Sequence, residues 1–420
     1  MLSYFLTASL ITLLTHGYLA LRLLPAVAPG TRWRRLFLIL LLANVFLLPG
    51  ALVLTLYAPP PAAGWAVPLA HVAFTDVGFC ILLTAGLLLR DAVWAGGQLG
   101  SFVRARLRPP ARELTPLQPQ RRQALLHGLN LAVGGAAGAA TLVGYGLALS
   151  QPIVRRVRIA CARVPKSWNE RGLRIVQISD LHVGPTIRRA YVEELCRRVN
   201  TLAADLIVIT GDLVDGYVSQ LRQQVEPLRS LRARHGVYFV TGNHEYFYRG
   251  AQWCQALAAM GLRVLEDAHA IIEHEGARVL LVGLSDPSAR TQTAAERRAA
   301  LTPLLGTAPE AELRILLTHR PGDVQLLAGP GMPGTPGMDL QLSGHMHGGQ
   351  FFPLTTLLQW TEPYVAGLYR VRDLWLYVNR GAGYWGPPNR LGVRQEITLV
   401  ELTRTPEPSQ DPGLATESQA

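Results

Sequence analysis

Long apolar stretches dominate the first 150 residues of the chain. Four of them approach the 20 or so mainly apolar residues that a helix needs to cross a bilayer. We predict membrane helices at roughly 2–21, 36–57, 65–89 and 124–149. No charged residue lies between Arg35 and Asp76, and the prolines at 59–61 interrupt this stretch, which favours a hairpin of two spans.

From about residue 155 the pattern changes to short β-branched runs separated by helical stretches. These runs predict strands near 173–178, 206–210, 237–241, 278–282, 313–318, 339–342, 374–378 and 395–402. Apolar residues recur at helical spacing in 189–202, which predicts a helix there, and we also predict a helix over 217–234. We therefore divide the chain into a transmembrane region (1–150), an α/β domain (155–402) and a disordered tail (403–420).

Charge is distributed unevenly between the two halves. Residues 1–163 carry 15 Arg and three acidic residues, whereas the remainder carries 25 basic and 26 acidic residues. The basic excess lies between apolar stretches and not on a polar surface, which argues against a nucleic-acid partner. Four scattered cysteines indicate neither a disulfide framework nor a Cys-based zinc site.

The loop arginines predict the orientation of the spans. The first and third loops contain four and seven Arg, and the second contains none. Because positive loops stay in the cytoplasm, we expect a multi-pass protein of the cell membrane whose C-terminal domain is extracytoplasmic. Five basic residues after the fourth span oppose this orientation. Arg121-Arg122 is similar to a twin-arginine export signal or is an ordinary positive flank.

Two polar residues, His71 and Asp76, lie on the third predicted span. A carboxylate within a span favours an ion or proton pathway. A contact between helices, or a position near the membrane interface, is the alternative.

Side chains of the chemical types that bind metals, together with their immediate neighbours, follow five predicted strands. They are Asp180 and His182, Asp212 and Asp215, Asn243 to Glu245, His319, and His345 and His347. Because α/β sheets place ligand sites at the carboxyl ends of their strands, we expect these side chains to meet. Imidazole and carboxylate groups without thiolate suit zinc, manganese or iron.

In this order, the residues resemble the motifs of the calcineurin-like metallophosphoesterases. The motifs are Asp180-x-His182, Gly211-Asp212-x-x-Asp215, Gly242-Asn243-His244-Glu245, His319 and Gly344-His345-x-His347. The resemblance covers roughly 157–402, and 179–184, 343–350 and 379–383 are similar to the membrane-anchored or exported bacterial branch. It implies an α/β four-layer sandwich, here behind an N-terminal four-helix transmembrane region.

The resemblance also implies a centre of two divalent metal ions. One ion would be bound by Asp180, His182, Asp212 and His347, and the other by Asp212, Asn243, His319 and His345. Asp212 would then bridge the ions, and a water activated between them would attack phosphorus directly. By the same resemblance His244 points at the substrate, stabilises the developing charge and protonates the leaving oxygen.

Five further residues are candidates for supporting functions. Asp215 and Glu245 either orient the imidazoles or have the ordinary positions of a helix-start cap or a surface residue. Arg320, Arg380 and Tyr384 are candidate contacts to a phosphate or head group. The aromatic segment 351–368 is either a lip at the membrane interface, which would admit a lipid phosphate, or a packed loop.

We therefore expect a membrane-bound, metal-dependent phosphoesterase that hydrolyses a phosphate ester or pyrophosphate, with a lipid-linked substrate in the bilayer. One alternative is a UDP-2,3-diacylglucosamine pyrophosphatase that faces the cytoplasm. Another is a non-catalytic metal-binding membrane scaffold or transporter. Asp76 favours this last alternative, and the complete set of metal motifs opposes it.

Overall fold

A computed structural model describes residues 2–57, 63–107, 119–168, 171–290, 293–327 and 337–404. The predicted tail therefore lies outside the described residues from position 405 onward. The chain divides into two compact units. A helical unit comprises Met1–Ser150 with Gly349–Leu358 and Tyr384–Arg394, and an α/β unit comprises Gln151–Gly348, Gln359–Gly383 and Gln395–Ala420.

Four long helices make up most of the helical unit as far as it is described. They are α1 (Leu2–Leu23), α2 (Arg32–Tyr57), α3 (Ala63–Leu107) and α4 (Pro119–Leu149). Each contains one of the predicted spans. Among the described residues, three stretches are long and apolar enough to cross a membrane: Arg32–Ala51, Trp65–Arg104 and Gln123–Leu149. A fourth span, in α1, stays a prediction.

The helical unit also contains two segments that the sequence analysis placed in the α/β domain alone. Leu391 packs against the apolar cluster that Leu19, Leu83 and Leu87 form between the helices. The amide of Arg390 donates a hydrogen bond to the carbonyl of Gly144 on α4, at 3.0 Å. These segments therefore fold with the long apolar helices, although they are more than 190 residues away in sequence.

As far as the α/β unit is described, it contains two six-stranded sheets, in the orders β1-β12-β2-β3-β4-β5 and β10-β11-β9-β8-β7-β6. The strands are β1 (Ile153–Cys161), β2 (Leu173–Ile178), β3 (Leu206–Thr210), β4 (Val237–Val240), β5 (Arg263–Val264), β6 (Ala268–His274), β7 (Ala277–Gly283), β8 (Leu313–Leu317), β9 (Leu340–Ser343), β10 (Gly367–Val371), β11 (Leu374–Val378) and β12 (Glu396–Arg404). The parallel neighbours β2, β3 and β4, and likewise β7, β8 and β9, end at a common edge of their sheet.

The core lies between the two sheets. Ile175 and Val208 of the first sheet pack in one cluster with Leu281 and Ile315 of the second. Because side chains alternate along a strand, a second set of apolar residues faces outward and needs helical cover. On the second sheet α9 (Ala294–Gly306) provides this cover.

Shorter helices complete the unit. They are α5 (Arg189–Asn200), α6 (Val218–Val225), α7 (Asn243–Phe247), α8 (Gly250–Ala259), α10 (Val324–Leu327) and α11 (Leu354–Thr361), the last of which begins in the helical unit. The prediction of one helix over 217–234 is wrong. The α-helix ends at Val225, and Pro227 continues the chain in a 3₁₀ turn, Glu226–Ser230.

All eight predicted strands overlap observed strands, and the sequence analysis missed β1, β5, β6 and β10. The arginines of β1 were interpreted as a membrane flank, but they lie on the edge strand of the first sheet. Arg155 forms an ion pair with Glu396 at 2.9 Å, and Arg156 approaches Glu401. The partner strand β12 lies more than 230 residues away, so no local signal marked β1 as a strand.

Candidate metal centre

The carboxyl ends of five strands supply the side chains of the centre. In the first sheet β2, β3 and β4 lead into Asp180, Asp212 and Asn243. In the second sheet β8 leads into His319, and β9 leads into the loop that carries His345 and His347. A sheet edge collects side chains that are remote in sequence, because parallel strands end side by side.

An unusual backbone conformation recurs at this edge. Asp180, His182, Asp212, His345 and His347 all have positive φ, between 50° and 75°. A non-glycine residue in this region costs roughly 1–3 kcal/mol and persists only where the surrounding structure holds it. Such strain concentrates at functional sites, so the backbone itself marks this edge.

Asp180, His182 and His347 form the first group of ligand-type side chains, and all three are buried. His347 Nε2 lies 3.3 Å from Asp180 Oδ1 and 3.0 Å from His182 Nε2. Asp212 Oδ2 lies 3.9 Å from His182 Nε2. Asp212 therefore reaches the first group from the neighbouring strand.

The second group consists of Asp212, His319 and His345. His319 Nε2 lies 3.0 Å from Asp212 Oδ2 and 3.1 Å from His345 Nδ1. The side-chain oxygen of Asn243 is buried and has no hydrogen-bond partner among the residues that the structure describes. Asp212 thus belongs to the second group and approaches His182 of the first, the position expected of a bridging ligand.

Hydrogen bonds on the far side of each imidazole prepare it to bind a cation. His319 Nδ1 donates to the Thr210 carbonyl at 2.8 Å, and His182 Nδ1 donates to Asp215 Oδ1 at 3.1 Å. In the neutral form of both rings, Nε2 then carries a lone pair and faces other acceptors. A cation between such acceptors would stabilise them. Metal-binding histidines typically donate a hydrogen bond from the ring nitrogen that does not bind the metal, as these two rings do. The donor set fits two divalent ions.

The carboxylates make the centre attractive to positive charge. Burial disfavours protonation of His319, yet Asp212 raises its pKa to about 10. Burial would raise the pKa of Asp212, but His319 and His244 hold it well below its usual value. The same field would attract divalent cations to this edge of the sheets.

His244 lies beside the two groups. Its Nδ1 donates to Asp215 Oδ1 at 2.6 Å, and its Nε2 lies 3.9 Å from Asp212 Oδ2. Burial lowers the pKa of this imidazole, but Asp212 and Asp215 outweigh burial and raise the pKa to about 9. Asp215 therefore accepts hydrogen bonds from two imidazoles and orients both.

Glu245 accepts its hydrogen bonds from backbone amides. Its carboxylate accepts hydrogen bonds from the amides of Gly242 at 2.7 Å, Leu213 at 2.7 Å and Asp212 at 3.1 Å. It caps the start of α7, one of the alternatives left open by the sequence, and also joins the loops after β3 and β4. Burial and the charge of Asp212 raise the pKa of Glu245 to about 7.

Two of the three candidate substrate contacts form ion pairs in the structure. Arg320 forms an ion pair with Asp286 at 2.7 Å, and Arg380 Nε lies 3.8 Å from Glu396. Tyr384 is buried and belongs to the helical unit. Their binding of substrate stays a prediction.

The sequence analysis missed Asp286. It follows the end of β7, just as the metal-motif residues follow their strands, and this position was the signal that could have identified it. Its carboxylate accepts hydrogen bonds from the guanidinium of Arg320, the residue that follows His319 in the sequence.

The aromatic segment 351–368 combines both of its predicted characters. Phe351 is buried, whereas 53% of Phe352 and 83% of Trp360 are exposed. Part of the segment therefore packs inside the protein and part presents aromatic surface.

Comparison with known proteins gives a consistent result. Residues 173–349 match the sequence model of the family described as calcineurin-like phosphoesterase. A "transmembrane protein with metallophosphoesterase domain" from Danio rerio is 38% identical over 270 residues, which cover 63% of this chain and 60% of that protein. The protein of the same description from Bos taurus is 35% identical over 343 residues, which cover 80% of this chain and 74% of that protein.

Solved structures are more distant. That of a novel archaeal phosphodiesterase is 11% identical, covers 50% of this chain and 84% of its own, and has a TM-score of 0.27. The match to the zebrafish protein spans less than two thirds of that relative.

Proposed function

The chain belongs to the calcineurin-like metallophosphoesterase family, and from this premise we propose that it is a membrane-bound phosphohydrolase that uses two divalent cations to cleave a phosphate ester or pyrophosphate. The carboxylate of Asp212 carries the proposal, because it belongs to the group with His319 and His345 and also lies 3.9 Å from His182 of the other group. A non-catalytic scaffold would not need one carboxylate that reaches two such groups.

The ligands follow from the two groups. Asp180, His182, Asp212 and His347 would hold one ion, and Asp212, Asn243, His319 and His345 would hold the other. Manganese, zinc and iron suit these nitrogen and oxygen donors. When bound, the ions supply Lewis acidity to a phosphoryl oxygen and lower the pKa of a water near them.

The residues of the chain orient and protonate the substrate. His244 carries a proton on Nδ1, held by Asp215, and its raised pKa keeps a second proton on Nε2 near neutral pH. That Nε2–H would stabilise negative charge on the phosphoryl group and then protonate the leaving oxygen. Asp215 prevents rotation of the ring, so the proton stays in place for transfer.

A lipid-linked substrate is the class that we propose. The chain passes from His347 into the helical unit within two residues, at Gly349, and it does so again at Tyr384. Phe352 and Leu357, in the first of these segments, are more than half exposed. Exposed aromatic and aliphatic side chains next to membrane helices suit the interface, where a lipid phosphate lies. The arginine-rich first and third loops support an extracytoplasmic position for the α/β unit.

Turnover by the purified full chain in detergent tests the proposal. We expect hydrolysis of bis-p-nitrophenyl phosphate or p-nitrophenyl phosphate with manganese or zinc, and loss of turnover after chelation. Asp212→Ala removes this carboxylate and should abolish turnover. Asp267→Ala removes a carboxylate that accepts hydrogen bonds from Ser285, and it should retain turnover. Wild-type rates in the Asp212 variant would favour the scaffold interpretation.

A further inference from the structure

A polar cluster lies among the apolar helices of the helical unit. It consists of His16 on α1, Asn44 on α2, and Asp76 and Cys80 on α3, and we call it the helix cluster. The ligand-type atoms of His16, Asp76 and Cys80 lie within 4.8 Å of one another. Asp76 and Cys80 share a helix face because they are four residues apart. Apolar helices rarely bring such groups together unless the groups have a function.

Hydrogen bonds in the helix cluster leave ligand atoms facing each other. His16 Nδ1 donates to the Thr12 carbonyl at 2.7 Å, so Nε2 of the neutral ring carries a lone pair. This Nε2 lies 2.7 Å from the side-chain oxygen of Asn44. The Asn44 amide group is hydrogen-bonded to Asp76, which fixes the direction of that oxygen. With a neutral His16, two acceptors thus face each other at hydrogen-bond distance.

We propose that the helix cluster binds one zinc-like divalent cation, separate from the catalytic pair. The ligands would be His16 Nε2, the Asn44 oxygen, the Asp76 carboxylate and the Cys80 thiolate. Four such ligands at zinc bond lengths lie roughly 3.3–3.8 Å apart. Cys80 Sγ and Asp76 Oδ2 are 3.9 Å apart, and His16 Nε2 and the Asn44 oxygen are 2.7 Å apart. Binding would therefore need the first pair to approach slightly and the second pair to separate by roughly 0.6 Å.

Charge balance supports a divalent ion. A thiolate and a carboxylate together carry two negative charges, which a divalent cation neutralises, and a neutral site is the least costly one among apolar helices. The thiol of Cys80 releases its proton to solvent when the ion binds. The contact of His16 with the Thr12 carbonyl is the outer hydrogen bond that metal-binding histidines have.

An ion pair between protonated His16 and Asp76 is the competing arrangement. It would resolve the contact between His16 and Asn44, and Cys80 would stay a thiol that donates a weak hydrogen bond to Asp76. His71, the other polar residue that the sequence singled out on this span, faces the hydroxyl of Tyr145 at 3.3 Å and lies outside the helix cluster. The two arrangements therefore differ in one bond, since only the metal-bound arrangement has a bond between the cation and Cys80 Sγ.

Cobalt substitution of the full chain in detergent tests that bond. The catalytic groups contain no sulfur among the described residues, so a thiolate-to-cobalt charge-transfer band in the near ultraviolet reports the helix cluster alone. We expect this band in the wild type and in Asp212→Ala. Cys80→Ser should abolish it and reduce bound metal from three ions per chain to two, with turnover unchanged. Cys161→Ser, which replaces a buried cysteine of β1, should retain both the band and the third ion.

Asp76→Asn provides a second variant of nearly identical shape in case Cys80→Ser does not fold. It should likewise lose the third ion while the catalytic pair stays bound. A wild type without the charge-transfer band, or a band that persists in Cys80→Ser, would overturn the proposal. Neither result would affect the proposed phosphohydrolase activity, because the catalytic centre has its own ligands.

Discussion

Replacing Asp215 with Asn should slow turnover by weakening two hydrogen bonds at once. The Asp215 carboxylate accepts from Nδ1 of His182 at 3.1 Å and from Nδ1 of His244 at 2.6 Å. A hydrogen bond to a charged group contributes about 1.5–3 kcal/mol, and one between neutral groups contributes about 1 kcal/mol. Loss of the charge should therefore cost roughly 1–4 kcal/mol over both bonds, a decrease of about 5–900-fold in kcat/KM. Mutation of a residue that accepts a hydrogen bond from a metal-binding histidine typically lowers activity or metal affinity by about 10–100-fold, which is an independent estimate of the same effect.

Initial rates on bis-p-nitrophenyl phosphate across a manganese titration measure this effect. If Asp215→Asn weakens metal binding by His182, that part of the decrease in rate should disappear at saturating manganese. Misorientation of His244 should instead lower kcat at every manganese concentration. Asp373→Asn is the matched control, because this exposed residue lies in the turn between β10 and β11. An Asp215→Asn protein within threefold of the wild type at all metal concentrations would refute the reasoning.

The other predictions concern the catalytic imidazole, the packing of the centre, the topology and the substrate. His244→Ala should lower kcat by about 10²–10⁴-fold, the usual contribution of a general acid, while metal content measured by elemental analysis is unchanged. Gly344→Ala should lower the melting temperature and reduce turnover by about 100-fold, because its Cβ would overlap Ser179 and the Asp180 carboxylate; Gly306→Ala, in open space, should change neither. A compartment-sensitive reporter at the C-terminus should report the extracytoplasmic side, and a cytoplasmic signal would reverse the proposed topology. Phosphate release from a lipid-linked pyrophosphate in mixed micelles should exceed release from its soluble head group, and equal rates would argue against a lipid substrate.

The backbone of the centre explains why these side chains are sensitive to small changes. Five candidate ligands have positive φ, and each depends on neighbouring groups to hold it there. Glu245 supplies part of this support through three backbone amides from the loops after β3 and β4. Gly344 supplies another part, because only a residue without a side chain fits beside Asp180.

Much of the molecule could be predicted from the sequence because the signals are local. Hydrophobic periodicity is a property of neighbouring residues, so it placed the apolar helices and the eight strands that were predicted. The metal-binding residues were recognisable for a related reason, since each follows an apolar run and has the chemistry of a ligand. Their position after strands was enough to suggest that they meet at one edge.

What only the tertiary structure decided depends on pairing between remote segments. Edge strand β1 exists because β12 pairs with it, and its arginines alone indicated a membrane flank. The segments that include Phe352 and Arg390 belong to the helical unit because of contacts with distant helices. Glu245 accepts hydrogen bonds from backbone amides, and Asp76 contacts Asn44 and Cys80 on packed helices. The sequence contains many polar residues that could pair with these two carboxylates, and only the packing of the elements determines which of them do.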